Sequence, residues 1–282
     1  MSLAEAESLI SKGDLRGALD KIQAEIRKQP DNAKFRIFLF QLLSVLGQWD
    51  RALTQLNVAA ELDKANLLMA QVCREALSCE ALRAEIFAGE RSPLVFGEPE
   101  EWMVWLIQAV KLAAKGEFKA VEELRERAFE LAPSIPGTID GEKFEWISDA
   151  DSRLGPILEA VIDGRYYWVP FSNISLMKID KPEDLRDVVW APANFIWKNG
   201  GNSVGLIPTR YSDSHSQDDP ALQLARKTDW IEKEGNLFIG LGQRMLATDQ
   251  GEYPLLECRN ITLYQPENSD LEKSSEEIPE TS

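Results

Sequence analysis

"KGDLRGALDKIQAEIRKQP" (12–30) and "LGQWDRALTQLNVAAELDK" (46–64) align without a gap at a spacing of 34 residues. Gly13 falls on Gly47, Leu15 on Trp49, Ala18 on Ala52, Leu19 on Leu53 and Ile22 on Leu56. A weaker echo, "AKGEFKAVEELRERAFELAP" (114–133), sets Gly116 and Phe118 where Gly47 and Trp49 stood. The pattern follows from packing. A small residue lets antiparallel helices approach closely, and the large apolar residue fills the neighbouring gap.

A 34-residue period is the tetratricopeptide length, so the first half is expected to be a stack of helical hairpins. Between the two copies, "AKFRIFLFQLLSVLG" (33–47) is apolar nearly all round, whereas a solitary surface helix shows one stripe. Its second stripe has two possible fates. Either the following helices, roughly 66–88, cover it, or it lines a groove for a partner helix. On the groove reading, Lys34, Ile37, Gln41 and Ser44 occupy the groove-facing positions.

"RSPLVFGEPEEW" (91–102) interrupts the helices, and a new helix is expected from about Glu98. After "APSIPGTIDG" (132–141) the texture turns to short β-rich segments. "PILEAVI" and "RYYWVPF" flank Asp163-Gly164, a type I′ hairpin signal. "NFIW" and "SVGLIPTRY" flank "KNGG" in the same manner, and "NLFIGLG" and "PLLECRNITLY" follow. The expected fold is therefore α+β. A tetratricopeptide-like helical domain (1–135) precedes a small antiparallel β-sheet or barrel-like domain (136–265). The tail "PENSDLEKSSEEIPETS" (266–282) has six acids against one lysine and is expected to be disordered.

Bulk properties exclude several functions. The formal charge of −16 opposes binding to nucleic acid, which needs Lys and Arg to neutralise phosphates, and opposes anionic lipid. No apolar run approaches transmembrane length, and the acidic, amphipathic start lacks signal-peptide character. Cys73, Cys79 and Cys258 are at unrelated spacings, as expected of reduced thiols rather than a disulfide or zinc framework.

Four patterns invite chemistry, and each is weak. "GNSVG" (201–205) matches a nucleophile-elbow pattern, but Ser203 opens a predicted strand. The sole histidine, His215, lies in the polar loop "SDSHSQDD". "GLGQRM" (240–245) lacks the third glycine and the helix of a dinucleotide cradle. A calcium loop starting at Asp149 would put Arg153 in a ligand slot. Asp149 and Asp151 as an acid/base pair, with Glu145 upstream, would need separated environments that nothing here indicates. The stretch "FEWISDADSRLGP" (144–156) is better read as an Asp–Arg network where the helical and β halves meet, with Trp146 packed beside it. The expectation is no catalytic residue, no metal and no cofactor.

The blocks "DGEKFEWISDADSRLGPILEAVIDGRYYWVPF", "DLRDVVWAPA", "IPTRY", "LARKTDW" and "GLGQRML", in that order, closely resemble the ImpE family, whose members are also called TagJ. The resemblance runs over about residues 1–264 and is densest from Asp140 to Leu263. It implies a cytoplasmic, non-enzymatic accessory protein of the bacterial type VI secretion system. It further implies binding to a short helical segment of the small contractile-sheath subunit, and through it a link to the AAA+ unfoldase that recycles sheath. The family blocks centre on Asp149, Asp151, Arg153, Arg186, Trp190, Arg210, Arg226, Trp230 and Arg244, as structural or interface residues. The alternative is a self-associating scaffold, a homo-oligomer for which sheath contact is secondary.

Overall fold

The computed structural model describes residues 3–264. The expected disordered tail lies outside the described residues. The helical half comprises α1 (Leu3–Ser11), α2 (Leu15–Lys28), α3 (Ala33–Val45), α4 (Trp49–Leu62), α5 (Leu67–Phe87), α6 (Glu101–Ala113) and α7 (Phe118–Leu131). α1–α2, α3–α4 and α6–α7 form hairpins, and the repeat seen in sequence is their turn. Gly13, Gly47 and Gly116 all take positive φ. In each case the next residue's N–H reaches back to the last turn of the first helix: Asp14 to Leu9, Gln48 to Leu43 and Glu117 to Leu112. This is the Schellman closure, which needs a residue free of the Cβ clash at the left-handed position. The 21-residue α5 has no place in the 34-residue period and separates the second hairpin from the third.

The β half holds β1 (Leu94–Val95), β2 (Gly137–Ile139), β3 (Glu142–Phe144), β4 (Ile147–Asp149), β5 (Ile157–Ile162), β6 (Arg165–Pro170), β7 (Ile174–Ile179), β8 (Trp190–Trp197), β9 (Asn202–Pro208), β10 (Thr228–Lys233), β11 (Leu237–Gly242), β12 (Met245–Thr248), β13 (Glu252–Pro254) and β14 (Asn260–Leu263), with the short helix α8 (Pro220–Gln223). Nine strands form one open sheet in the order β1-β6-β5-β9-β8-β7-β14-β2-β3. β1 joins β6 in parallel and every other pairing in it is antiparallel. Both expected hairpins are present. Asp163 and Gly164 each have positive φ between β5 and β6, as a type I′ turn requires, and "KNGG" joins β8 to β9.

Three details differ from expectation. The interruption at 91–102 contains strand β1, and the following helix starts at Glu101. In "PLLECRNITLY" Pro254 ends β13 and strand resumes only at Asn260–Leu263, because the segment between turns to bury Leu255 and Cys258. The main sheet has nine strands where a small one was expected, and of the two expected forms it is the sheet rather than the barrel, open at β1 and β3.

Strand β5 is buried on both faces, and its alternation explains how the halves join. Leu158, Ala160 and Ile162 point into a core shared with Ile147, Leu246 and Leu255 of the β half. Ile157 and Val161 point instead into a core built with Cys79, Ile86, Phe87, Trp102 and Leu106 of the helices. Glu159 has the same parity as the second set and so faces the helices. A third cluster, around α1–α5, includes Val189, Trp190 and Leu224 from the β half.

Candidate functional site

Helix α5 carries Glu80, Arg83 and Phe87 at spacings of three and four, which places them on one face. That face meets the sheet. Arg83 donates through Nε to Glu159 Oε1 at 2.6 Å and through Nη2 to Glu159 Oε2 at 3.0 Å, a bidentate fork with both partners buried. The same Nη2 donates to the Arg210 carbonyl at 2.7 Å. Glu80 accepts from the Trp190 indole at 2.8 Å. On its other side Glu159 accepts from Arg244 and from the Tyr166 hydroxyl, and Arg244 also donates to Asp149. Asp151 is closed off separately. It takes Nε and Nη2 of Arg153 at 2.9 and 2.6 Å and the Gly240 N–H at 2.9 Å. The Arg153 guanidinium lies 4.5 Å from the Phe87 ring centroid on α5.

This network sets the charge state of its members. Burial alone would raise the Glu159 carboxyl, but Arg83 and Arg244 together outweigh it and hold the group down at about 2. Asp149 has only a share of Arg244, so burial prevails and lifts it to about 6, with Asp151 nearby adding to the rise. The two carboxylates are thus pushed apart, yet both are sealed from solvent among arginines. A general acid or base must reach a substrate proton, and these do not.

The remaining family-block residues mostly serve the joint. Arg210 is buried and donates to the carbonyls of Val45 (2.7 Å), Ser44 (3.3 Å) and Gln223 (2.5 Å), capping the C-terminus of α3. Arg226 donates to Ile10 and Ser11 carbonyls, both at 3.0 Å, capping α1 in the same way. A cation at these positions satisfies orphan carbonyls and the negative end of the helix dipole. Trp190 is buried against Trp49, with ring centroids 6.0 Å apart. Arg186 pairs with Asp184 at 2.7 Å and Asp187 at 3.6 Å and remains partly exposed. Trp230 lies at the surface on β10, 5.6 Å from the Tyr211 ring.

Other expected positions separate. Trp146 is 38% exposed and stands apart from the buried network. Glu145 donates its N–H to Asp249 at 2.7 Å, away from Asp149. Ser203 accepts from the Trp197 indole at 3.0 Å inside β9, while His215 packs edge-on against Trp49. Of the four groove positions on α3, Lys34 is exposed and Ile37 half-buried, but Gln41 and Ser44 are buried. The expected covering by the following helix is present, and the β half adds a second that was not expected from the sequence. α5 contributes Ala70, Cys73 and Leu77, and the β half contributes Val189, Trp190 and Leu224. That part of the groove is filled from within the chain. All three cysteines are free and buried. Among the described residues no cluster of His, Cys, Asp and Glu could hold a metal ion, and no helix is long and apolar enough to cross a membrane.

An open groove lies elsewhere on the same joint. The N-terminal turns of α5 (Leu68, Met69, Val72, Cys73) form one wall and β8–β9 (Pro192, Val204, Leu206) the other, around about 440 Å³. Leu68 is 77% exposed and Val204 69%, so apolar side chains on both walls stand open to solvent. The Asp163-Gly164 turn, Glu75, Arg186 and Asp187 complete its lining. Sequence reasoning missed this groove. The only signal is "NLLMAQV" (66–72), whose adjacent leucines exceed what one helix face can bury.

Comparison with known proteins agrees with this architecture. The family model described as "ImpE protein" matches residues 141–262, the β half that holds Asp149, Glu159, Arg210 and Arg244. A protein of Pseudomonas aeruginosa, the type VI secretion system accessory component TagJ, is 47% identical over 256 residues, covering 91% of this chain and 90% of that protein. This chain belongs to the ImpE/TagJ family. The crystal structure of protein VPA1032 from Vibrio parahaemolyticus is also similar, with a TM-score of 0.84 at 25% identity. It covers 93% of this chain and 98% of the other. Of the residues prominent in the sequence blocks, Arg153, Trp190, Arg210 and Arg226 contact the helices directly, while Asp149, Asp151 and Arg244 build the buried network within the β half.

Proposed function

We propose that this protein is a cytoplasmic, non-catalytic adaptor of the type VI secretion system. It captures a short amphipathic segment of the small sheath subunit and thereby links contracted sheath to the AAA+ unfoldase. The accessory role rests on the kinship with TagJ. The observation that carries the capture mode is the groove between α5 and β8–β9. Its apolar walls leave Leu68, Val72 and Val204 uncovered, and its volume suits one face of a helix presenting apolar anchors at helical spacing. Glu75 and Asp163 line it and, among the described residues, take part in no ion pair. They favour a segment with basic residues flanking its apolar stripe, mainly through steering.

The groove is the better site than the α3 surface, where only Lys34 and Ile37 remain available. Calorimetric titration of the full chain with peptides tiling the small sheath subunit tests the reading. Saturable binding by one peptide or two overlapping ones supports it. Binding to assembled sheath with none to any peptide refutes capture of a short segment.

A further inference from the structure

Strand β10 belongs to a two-stranded ribbon in which its only strand partner among the described residues is β11. The far edge of β11 is occupied. Gly240 N–H donates to Asp151, Phe238 N–H to the Ser152 hydroxyl and Gly242 N–H to the Ser214 hydroxyl. These bonds fix the direction of every peptide group in the ribbon. Because Phe238, Gly240 and Gly242 point away from β10, their opposites Glu232, Trp230 and Thr228 point away from β11. β10 therefore presents an unpaired edge whose N–H and C=O groups come from residues 228, 230 and 232. Trp230 and Ile231 on it are each more than a third exposed. An exposed, unpaired edge of this length, with Trp230 and Ile231 at its centre between charged residues, is a template for another strand.

We propose that the occupant is β10 of a second copy, paired antiparallel about a two-fold axis through Ile231. The parity of the free edge restricts the choice. Hydrogen-bonded pairs must match even residues with even ones, so the middle of this edge admits a dyad at Asp229, Trp230 or Ile231. A dyad at Asp229 would set Asp229 on Asp229, a like-charge pair. A dyad at Trp230 would set Lys227 against Lys233, a like-charge pair. A dyad at Ile231 sets Ile231 on Ile231, and Asp229 opposite Lys233 at both ends. These are non-hydrogen-bonded positions, where side chains approach most closely. The Lys227–Asp229 pair within one chain, at 3.1 Å between exposed groups, is weak enough to rearrange. The edge is thus complementary to itself, the condition for an isologous contact. A two-strand contact alone gives a weak dimer, and the α5 groove lies outside it.

Sedimentation equilibrium of the full chain from about 1 to about 500 µM tests this. The mass is expected to rise from the 31.8 kDa of one chain towards twice that value. Asp229→Lys or Lys233→Asp alone weakens association by at least about tenfold, because like charges then face each other twice. An equimolar mixture of the two variants restores it, since every facing pair is again opposite, and this restoration also shows that both fold. A wild-type mass fixed at one chain overturns the proposal. So does a dimer that either single variant leaves intact, or a mixture that fails to recover. Addition of another protein's strand to β10 while this chain stays monomeric would overturn it as well.

Discussion

Replacing Glu159 by glutamine should cost more than any other single change of its size. The substitution keeps the shape and an acceptor for Tyr166, but removes the charge facing both Arg83 and Arg244. Those guanidiniums are 5% and 0% exposed, so water cannot replace the lost partner. Breaking a buried pair while leaving its mate charged costs about 3–5 kcal/mol. Against a typical total of about 5–15 kcal/mol, that is a large fraction. Urea unfolding followed by tryptophan emission, with Trp168 and Trp190 buried beside the network, reads the change directly. The pH arm has a definite sign. Glu159 is held below its ordinary value of 4.5, at about 2. Its contribution is present above pH 4.5 and lost as pH falls through 2, so the gap between wild type and variant narrows over that window. A loss below about 1 kcal/mol at pH 7 would refute the view that this carboxylate anchors the joint.

Asp149 has the opposite sign. Its raised pKa gives a contribution present below pH 3.8 and lost as pH rises through about 6, so Asp149→Asn should cost less at pH 7 than at pH 4 in the same unfolding assay. The two helix-capping arginines should differ through burial. Arg210→Ala should cost about 3 kcal/mol or more in urea unfolding, because it orphans buried carbonyls at the end of α3. Arg226→Ala should cost about 1 kcal/mol or less and show chiefly as faster hydrogen exchange in α1. Gly47→Ala and Gly116→Ala both force alanine to positive φ. An added Cβ at 47 lies 2.1 Å from the His215 ring, while at 116 nothing stands within 4 Å, so thermal melting should fall far more for the first. Burial pushes the Cys73 and Cys79 thiols up to about 11 and Cys258 to about 12. All three should therefore resist alkylation at pH 8 until urea unfolds the chain.

The parts of this fold that were legible in the sequence are those fixed by local chemistry. Gly13, Gly47 and Gly116 announce the hairpins because only a residue without Cβ closes those turns cheaply. Asp163-Gly164 announces β5–β6 for the same kind of reason. What stayed hidden depends on distant segments meeting. Leu94–Val95 forms a strand only because β6 offers a parallel edge, and two residues carry no periodicity. Gln41 and Ser44 look like groove positions when the helices are considered alone, but both are buried in the folded chain, where Arg210 of the β half bonds the Ser44 carbonyl. Arg83 resembles an ordinary surface charge of a helix until Glu159 is placed beneath it. Glu159 did leave a trace, as a single acid inside the apolar run "PILEAVI". A lone acid there must be paired or neutral, although its partners could not be named from sequence.

The joint groove is the centre of the functional account, and a paired titration tests it most directly. With the sheath-subunit peptide that binds wild type, Leu68→Glu with Val204→Glu should weaken affinity at least about tenfold, since two exposed apolar anchors become charged beside Glu75 and Asp163. Ile37→Glu, on α3, should leave it unchanged. Loss of binding in Ile37→Glu with full affinity in the groove variant would contradict the account.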